Sequence, residues 1–211
     1  ISLIRWSPVV NTCALISDSD LVLIGENTLV VRMRGKVAAV QTSSNSFTLL
    51  NAATGVTQDL RLTLPTAKGI SLGEKQLVVW SDDTIVTYDV QTSLATIQST
   101  SFACTTSCVG IANQNLYCIE KDKIMARTLQ GTLRQEIALP EIEGDPEMIE
   151  INRNWMAVAT TNGFIRIYNL TSKDATQEHN SKYIVENVKT FYKFQTIKIN
   201  QAGNKVAVTY L

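Results

Sequence analysis

The feature that most constrains this chain is a strand-rich segment that recurs about every 40 residues. Its clearest copy is residues 154–170, NWMAVATTNGFIRIYNL. Two apolar runs, 155–159 and 164–168, flank Thr161-Asn162-Gly163, and the second closes on Tyr168-Asn169-Leu170. Asn-Gly between β-rich runs predicts a hairpin with a primed turn, because that turn needs φ > 0 and these residues supply it at least cost. Residues 75–90, KQLVVWSDDTIVTYDV, repeat the layout with Ser81-Asp82-Asp83 as the turn and Tyr88-Asp89-Val90 as the close. Residues 46–52 (SFTLLNA) and 123–129 (KIMARTL) are weaker copies. Aligning the four endings puts Leu50, Tyr88, Arg127 and Tyr168 in one column, at intervals of 38, 39 and 41 residues. Strands repeating at that period mark a β-propeller with WD-like blades. The expected fold class is all-β: a WD-like β-propeller segment with about five blades' worth of four-stranded antiparallel sheets.

Upstream, strands are expected at 12–16, 21–24, 28–32 and 36–41. From Ile24 to Leu50 the repeat shortens to 26 residues, one strand short of a blade. Either that blade is degenerate or residues are absent from the chain. From residue 53 the rhythm is regular. An outer strand at 56–62 leads to strands at 69–72, 76–80 and 84–90, and the next blade runs through 94–98, 108–112, 115–119 and 124–129. A third uses 132–139, 147–152, 155–159 and 164–170, and a last strand falls at 195–200. The third strands are nearly continuous in apolar residues (Ile85, Val86, Tyr88; Ile165, Ile167, Tyr168), as strands covered on both faces are. The chain starts at Ile1 without an initiator Met and ends at Leu211 within a strand. It is therefore read as one incomplete propeller, residues 1–211, belonging to a longer chain and carrying an insertion at 171–194.

Nineteen basic and nineteen acidic residues cancel, which argues against nucleic acid as the main partner, since phosphate binding needs a clustered positive field. No apolar run approaches the length of a membrane-spanning helix, so direct membrane insertion is not expected. Cys104 and Cys108 are four residues apart while Cys13 and Cys118 stand alone, and the single histidine, His179, is distant in sequence. Structural zinc usually takes paired short spacings, so the four thiols are expected to be free, buried and metal-free, as in a reducing compartment.

Two stretches depart from the blade pattern. Residues 141–150, EIEGDPEMIE, carry five acidic side chains. They are expected to form a solvated loop between an outer and an inner strand, with an acidic docking patch as the alternative. Residues 171–194 are too long for one outer strand and a turn. Ile184, Val188 and Phe191 follow helical spacing, which predicts a short helix with Lys182, Lys189 and Lys193 on its other face. Long patterned insertions in compact repeats tend to carry function. His179, Lys182, Lys189 and Lys193 are therefore the expected partner-binding residues, against the alternative of a solvated lysine face.

Catalytic chemistry has little to stand on. A triad needs a histidine beside a nucleophile, and His179 lies in an irregular polar stretch. The ten glycines are scattered and form no phosphate-binding loop. Asp18, Asp20, Asp82 and Asp83 fall in hairpin turns, where aspartate serves backbone conformation. A propeller glycosidase would bring carboxylates to the axis from several blades, whereas the inner strands at 109–111 and 148–151 offer only Glu150. No cofactor and no enzymatic activity are expected.

Four stretches together resemble one family. They are residues 35–55 (GKVAAVQTSSNSFTLLNAATG), 126–137 (ARTLQGTLRQEI), 143–163 (EGDPEMIEINRNWMAVATTNG) and 168–181 (YNLTSKDATQEHNS). They are similar to the second propeller of the 140-kilodalton-class WD-repeat subunit of intraflagellar transport complex A. The chain departs from that family at Asn169, where an aspartate follows the aromatic, and at Ser172-Lys173-Asp174, where a more basic run is diluted. The resemblance implies a non-enzymatic scaffold of cilia or flagella, present also in the cytoplasm near the basal body. Its implied partners are other subunits of a train-forming complex, with membrane-protein cargo reached indirectly. It further implies a role in retrograde transport and ciliary entry. A vesicle-coat or tethering subunit shares the propeller-plus-solenoid plan, and a propeller hydrolase is the alternative from another class.

Overall fold

The computed structural model describes residues 2–6, 12–17, 20–25, 30–43, 45–64, 66–90, 98–184 and 193–210. The chain divides into two compact units, Ile1–Val30 and Val31–Leu211. The first unit holds an antiparallel sheet of β1 (Leu3–Trp6), β2 (Thr12–Ser17) and β3 (Asp20–Gly25), paired in that order. Leu3, Ile4, Trp6, Leu21, Val22 and Leu23 are exposed on it. Because successive strand residues point to opposite faces, both faces of this sheet are partly apolar.

The second unit is built of antiparallel sheets in succession. One joins β4 (Val31–Arg34), β5 (Val37–Ser43), β6 (Ser46–Asn51) and β7 (Thr57–Arg61). The next joins β8 (Gly69–Leu72), β9 (Gln76–Trp80), β10 (Thr84–Asp89) and β11 (Gln98–Ala103), and a third β12 (Val109–Ala112), β13 (Asn115–Glu120), β14 (Lys123–Thr128) and β15 (Leu133–Ala138). The fourth has β16 (Pro146–Asn152), β17 (Trp155–Thr160) and β18 (Phe164–Asn169). Along its outer edge two short strands, β19 (Thr176–Gln177) and β20 (Lys182–Tyr183), both pair with β18. β21 (Phe194–Ile199) and β22 (Val206–Tyr210) form the last pair. This is an all-β, WD-like propeller segment. The first sheet has three strands among the described residues, while β4–β7 is a complete four-stranded blade.

The first strand of each blade in this unit lies beside that of the next, β4 to β8 to β12 to β16 to β21. Gly110 is needed there, since a Cβ on it would sit 2.6 Å from Ile151 Cδ1 and 2.9 Å from Ile149 Cγ2. Between blades the faces close into separate apolar layers. Val78, Trp80 and Ile85 pack against Val109, Ile111 and Leu116; Tyr117, Ile119 and Ile124 pack against Ile149, Met156 and Tyr168. Ala157, Ala159 and Ile165 pack against Phe194, Ile197 and Ile199. The second strands, sandwiched on both faces, are buried almost end to end, as in Leu77–Trp80 and Met156–Thr160. Full burial of each Val, Leu or Ile side chain is worth about 1.5–3 kcal/mol, so these layers hold the blades together.

Several local expectations are corrected. The turn after β17 is not primed: Thr161 and Asn162 keep negative φ and only Gly163 is left-handed, at φ +83°. Gly163 N donates to Thr160 O at 3.0 Å, closing a three-residue loop that ends on a left-handed glycine. A primed turn occurs instead between β12 and β13, where Asn113 (φ +48°) and Gln114 (φ +62°) are the two loop residues. The strand expected at 28–32 is observed at Val31–Arg34, and that expected at 94–98 at Gln98–Ala103. Parts of both expectations, 28–29 and 94–97, lie outside the described residues, as do 185–192, which hold most of the expected helix. Among the described residues no helix is long and apolar enough to cross a membrane.

Candidate interaction surfaces

The insertion begins at residue 171 and is tied to the blades through its described part. Ala175 exchanges two hydrogen bonds with the Gln135 side chain of the neighbouring sheet, at 2.8 and 3.1 Å. β19 and β20 then supply the outer edge of the fourth sheet, and Tyr183 stacks at 5.0 Å on Phe164. Ile184 N donates to Gly163 O at 3.0 Å, and its side chain packs on the layer between the fourth and fifth sheets. Ile184 thus anchors the segment at the end of β20; Val188, Phe191 and Lys189 lie outside the described residues.

The anchor's charged centre is a residue that sequence reading had placed in solvent. Pro140 precedes a 3₁₀ turn, Glu141–Glu143, and Glu143 is 4% exposed. Arg166 on β18 donates Nε and Nη2 to its two oxygens at 2.5 and 2.7 Å, and Nη1 to Gln177 Oε1 at 2.7 Å. Ser181 Oγ donates to Glu143 Oε1 at 2.7 Å. Hydrogen bonds from Arg166, then from Ser181, hold the Glu143 carboxyl below the usual carboxylate range. The 141–150 run is therefore not simply a solvated loop: one of its acids fastens the insertion.

Of the expected partner-binding residues, His179, Lys182 and Lys193 are described, and all three are exposed. Lys182 is exposed on β20, opposite Ile165. His179 is exposed, and its carbonyl accepts from Gln177 Nε2 at 2.8 Å. Lys193 precedes β21, with Nζ 3.9 Å from a Glu147 oxygen and its side chain 65% exposed.

A second surface lies on the axial side of the inner strands. β4, β8, β12, β16 and β21 line a cavity of about 330 Å³. Glu150 reaches it as expected, paired with Lys198 Nζ at 2.8 Å. Sequence reading missed its cations, Arg32, Arg34 and Lys198. They alternate along β4 and β21 among apolar residues, which is the signal that was available. Arg34 Nη1 donates to Ile151 O at 3.0 Å, joining the first and fourth inner strands of this unit.

All four cysteines are free thiols; Cys13, Cys104 and Cys118 are buried and Cys108 half-buried. Cys104 and Cys118 meet between two sheets. Their hydrogen bond lowers the pKa of Cys104 and raises that of Cys118.

A family model described as "IFT140 second beta-propeller" matches residues 35–211, the span from the β4–β5 turn to the end of the chain. The chain belongs to this family. The IFT140 match takes in the second unit from β5 onward, with the insertion and the axial cavity except its β4 wall. Solved propellers share the fold. Kluyveromyces lactis Hsv2 with loop 6CD replaced by a Gly-Ser linker is 14% identical over 98% of this chain and 70% of its own, with a TM-score of 0.64. K. lactis Hsv2 with the complete loop 6CD is 14% identical over 95% and 64%, TM-score 0.57. The Myceliophteria thermophila Cps50 (Swd1) propeller domain is 12% identical over 89% and 63%, TM-score 0.59. The chain thus spans roughly two thirds of the length of the solved propellers it matches.

Proposed function

We propose that this propeller is a non-enzymatic scaffold in a ciliary or flagellar transport complex, supporting retrograde intraflagellar transport and ciliary entry of membrane cargo through protein–protein contacts. The observation that carries the reading is the IFT140 second-propeller match across residues 35–211. In this reading the chain is part of one incomplete propeller within a longer subunit. It works in the cilium or flagellum and in the cytoplasm around the basal body. Its partners are other subunits of the complex, and membrane cargo is reached through them.

The physical chemistry supports scaffolding over catalysis. The axial carboxylate Glu150 is held by Lys198, and Arg34 is occupied by a carbonyl, so neither is poised as an acid or base toward a substrate. His179, Lys182, Lys189 and Lys193 are the proposed contact for an acidic partner surface. Cross-linking mass spectrometry on the purified native complex tests this. Cross-links from Lys182, Lys189 or Lys193 to other subunits are expected; a complex whose cross-links bypass this propeller would overturn the reading.

A further inference from the structure

We propose that Cys104, Cys118 and Glu120 form a site for a thiophilic divalent cation of the zinc class, which clamps the β8–β11 sheet to the β12–β15 sheet. The sulfurs of the two cysteines and a Glu120 oxygen all lie within 4.8 Å of one another. A tetrahedral zinc with bonds of about 2.0–2.3 Å holds its ligand atoms about 3.5–3.8 Å apart, so rotamer-scale adjustments bring the three onto one ion.

The ligands converge for reasons that lie in the fold. Cys118 and Glu120 are two residues apart on β13 and therefore share a face. Cys104 follows β11 of the preceding sheet, and its N–H donates to Asp83 O at 2.8 Å, which extends the β10–β11 pairing by one residue and sets it over that face. The strand registers make Cys118 and Glu120 equivalent to Val79 and Ser81 in one flanking sheet, and to Val158 and Thr160 in the other. Two metal-ligand residue types thus stand where neighbouring blades carry none. Cys108 has no such company: its sulfur faces the carbonyl of Ile149 at 3.7 Å.

Arg127 completes the arrangement as an outer-shell residue. Its Nε and Nη2 hold the two Glu120 oxygens at 2.6 and 2.9 Å, and Nη1 donates to Gly131 O at 2.9 Å. Ligating carboxylates are characteristically oriented by such partners, so one oxygen turns to the metal while the other stays on Arg127. Binding releases the two thiol protons to solvent. Two thiolates, one carboxylate, the dication and the guanidinium then sum to zero, which avoids leaving a net charge between the blades. An open cleft of about 870 Å³, lined by Asp83, Cys104, Thr105, Glu120, Lys121 and Lys123, gives a water access to the fourth position. Thiolate donors select zinc-like ions over magnesium or calcium.

The test is a cobalt(II) titration of the full-length protein, stripped with chelator and kept under reductant. Wild type is expected to bind one equivalent more than Cys104→Ser or Cys118→Ser, with thiolate-to-cobalt charge-transfer absorption that zinc displaces. Glu120→Gln should weaken binding while leaving the sulfur band. Zinc should raise the melting temperature of wild type and not of the cysteine variants. Absence of the band in wild type, or its persistence in Cys104→Ser, would overturn the proposal. Both readings are independent of whether Cys118→Ser folds.

Discussion

Arg166 grips Glu143 through two parallel N–H···O bonds, at 2.5 and 2.7 Å, across 23 residues of sequence. With side chains 11% and 5% exposed, the pair is buried beneath the insertion it fastens. Removing one partner of such a pair costs about 3–5 kcal/mol, because the other is left charged and unpaired in a poorly solvated place. Arg166→Met should therefore lower the melting temperature steeply and loosen residues 171–184. Replacing both members by apolar residues should recover much of the loss. Hydrogen exchange on β19 and β20 beside a melting curve checks this, and an unshifted curve for Arg166→Met would contradict it.

The same pair sets a pH dependence. The folded-state pKa of Glu143 lies below that of an unfolded glutamate, about 4.3. Its contribution is therefore complete above that value and is lost as the pH falls through the lower, folded value. Wild type should lose stability below about pH 4 faster than Glu143→Gln, in which position 143 has no carboxylate to titrate. Parallel acid unfolding of the two proteins would make a mistake of this sign visible.

Gly163 is a fold position. At φ +83° it closes the β17–β18 loop, and its carbonyl receives the amide of Ile184. A β-branched residue is strained in that region by about 1–3 kcal/mol, so Gly163→Val should destabilise by at least that amount. An unchanged denaturation midpoint would remove the turn assignment.

Gly110 tests the ring of inner strands. An alanine methyl there meets Ile151 Cδ1 and Ile149 Cγ2 at 2.6 and 2.9 Å, so the β16 side chains that face β12 must shift. Overpacking of this kind costs about 1–3 kcal/mol. Gly110→Ala is expected to lower stability and to lessen protection of the Ile149 and Ile151 amides. The opposite sign would show that the inner strands have slack.

What the sequence made legible follows from the range of each force. The repeat near 40 residues and the strands at 69–72, 76–80 and 84–90 came through because alternation and turn residues act locally. Glu143 was misjudged because its partners, Arg166 and Ser181, are supplied by folding from 23 and 38 residues away, and composition alone reads an acidic run as solvated. The axial cations on β4 and β21 were missed because each is one polar residue in an apolar alternation. Only blade packing makes them neighbours. Cys104 and Cys118 show the same limit, since a 14-residue spacing has no meaning until two sheets meet.

The exposed lysines carry the proposed docking edge. Lys182 lies on β20 and Lys193 at the entry to β21, while the blade layers beneath them are built from Phe194, Ile197 and Ile165. Lys182→Glu, Lys189→Glu and Lys193→Glu combined should leave the fold intact; Lys182 and Lys193 are exposed, and exposed substitutions usually shift stability by less than about 0.5 kcal/mol each. A local penalty arises at Lys193, where a glutamate would face Glu147 in place of a cation 3.9 Å away, and solvent screens most of it. Association with an acidic partner should weaken, and wild type should exceed the variant by more at low salt, because exposed charges are screened within about 10 Å at 0.1 M. Recovery of complex subunits on tagged wild type and variant, at two salt concentrations beside melting curves, decides the matter. Equal recovery would show that this edge is only a solvated face, and a lowered melting temperature would make its lysines structural.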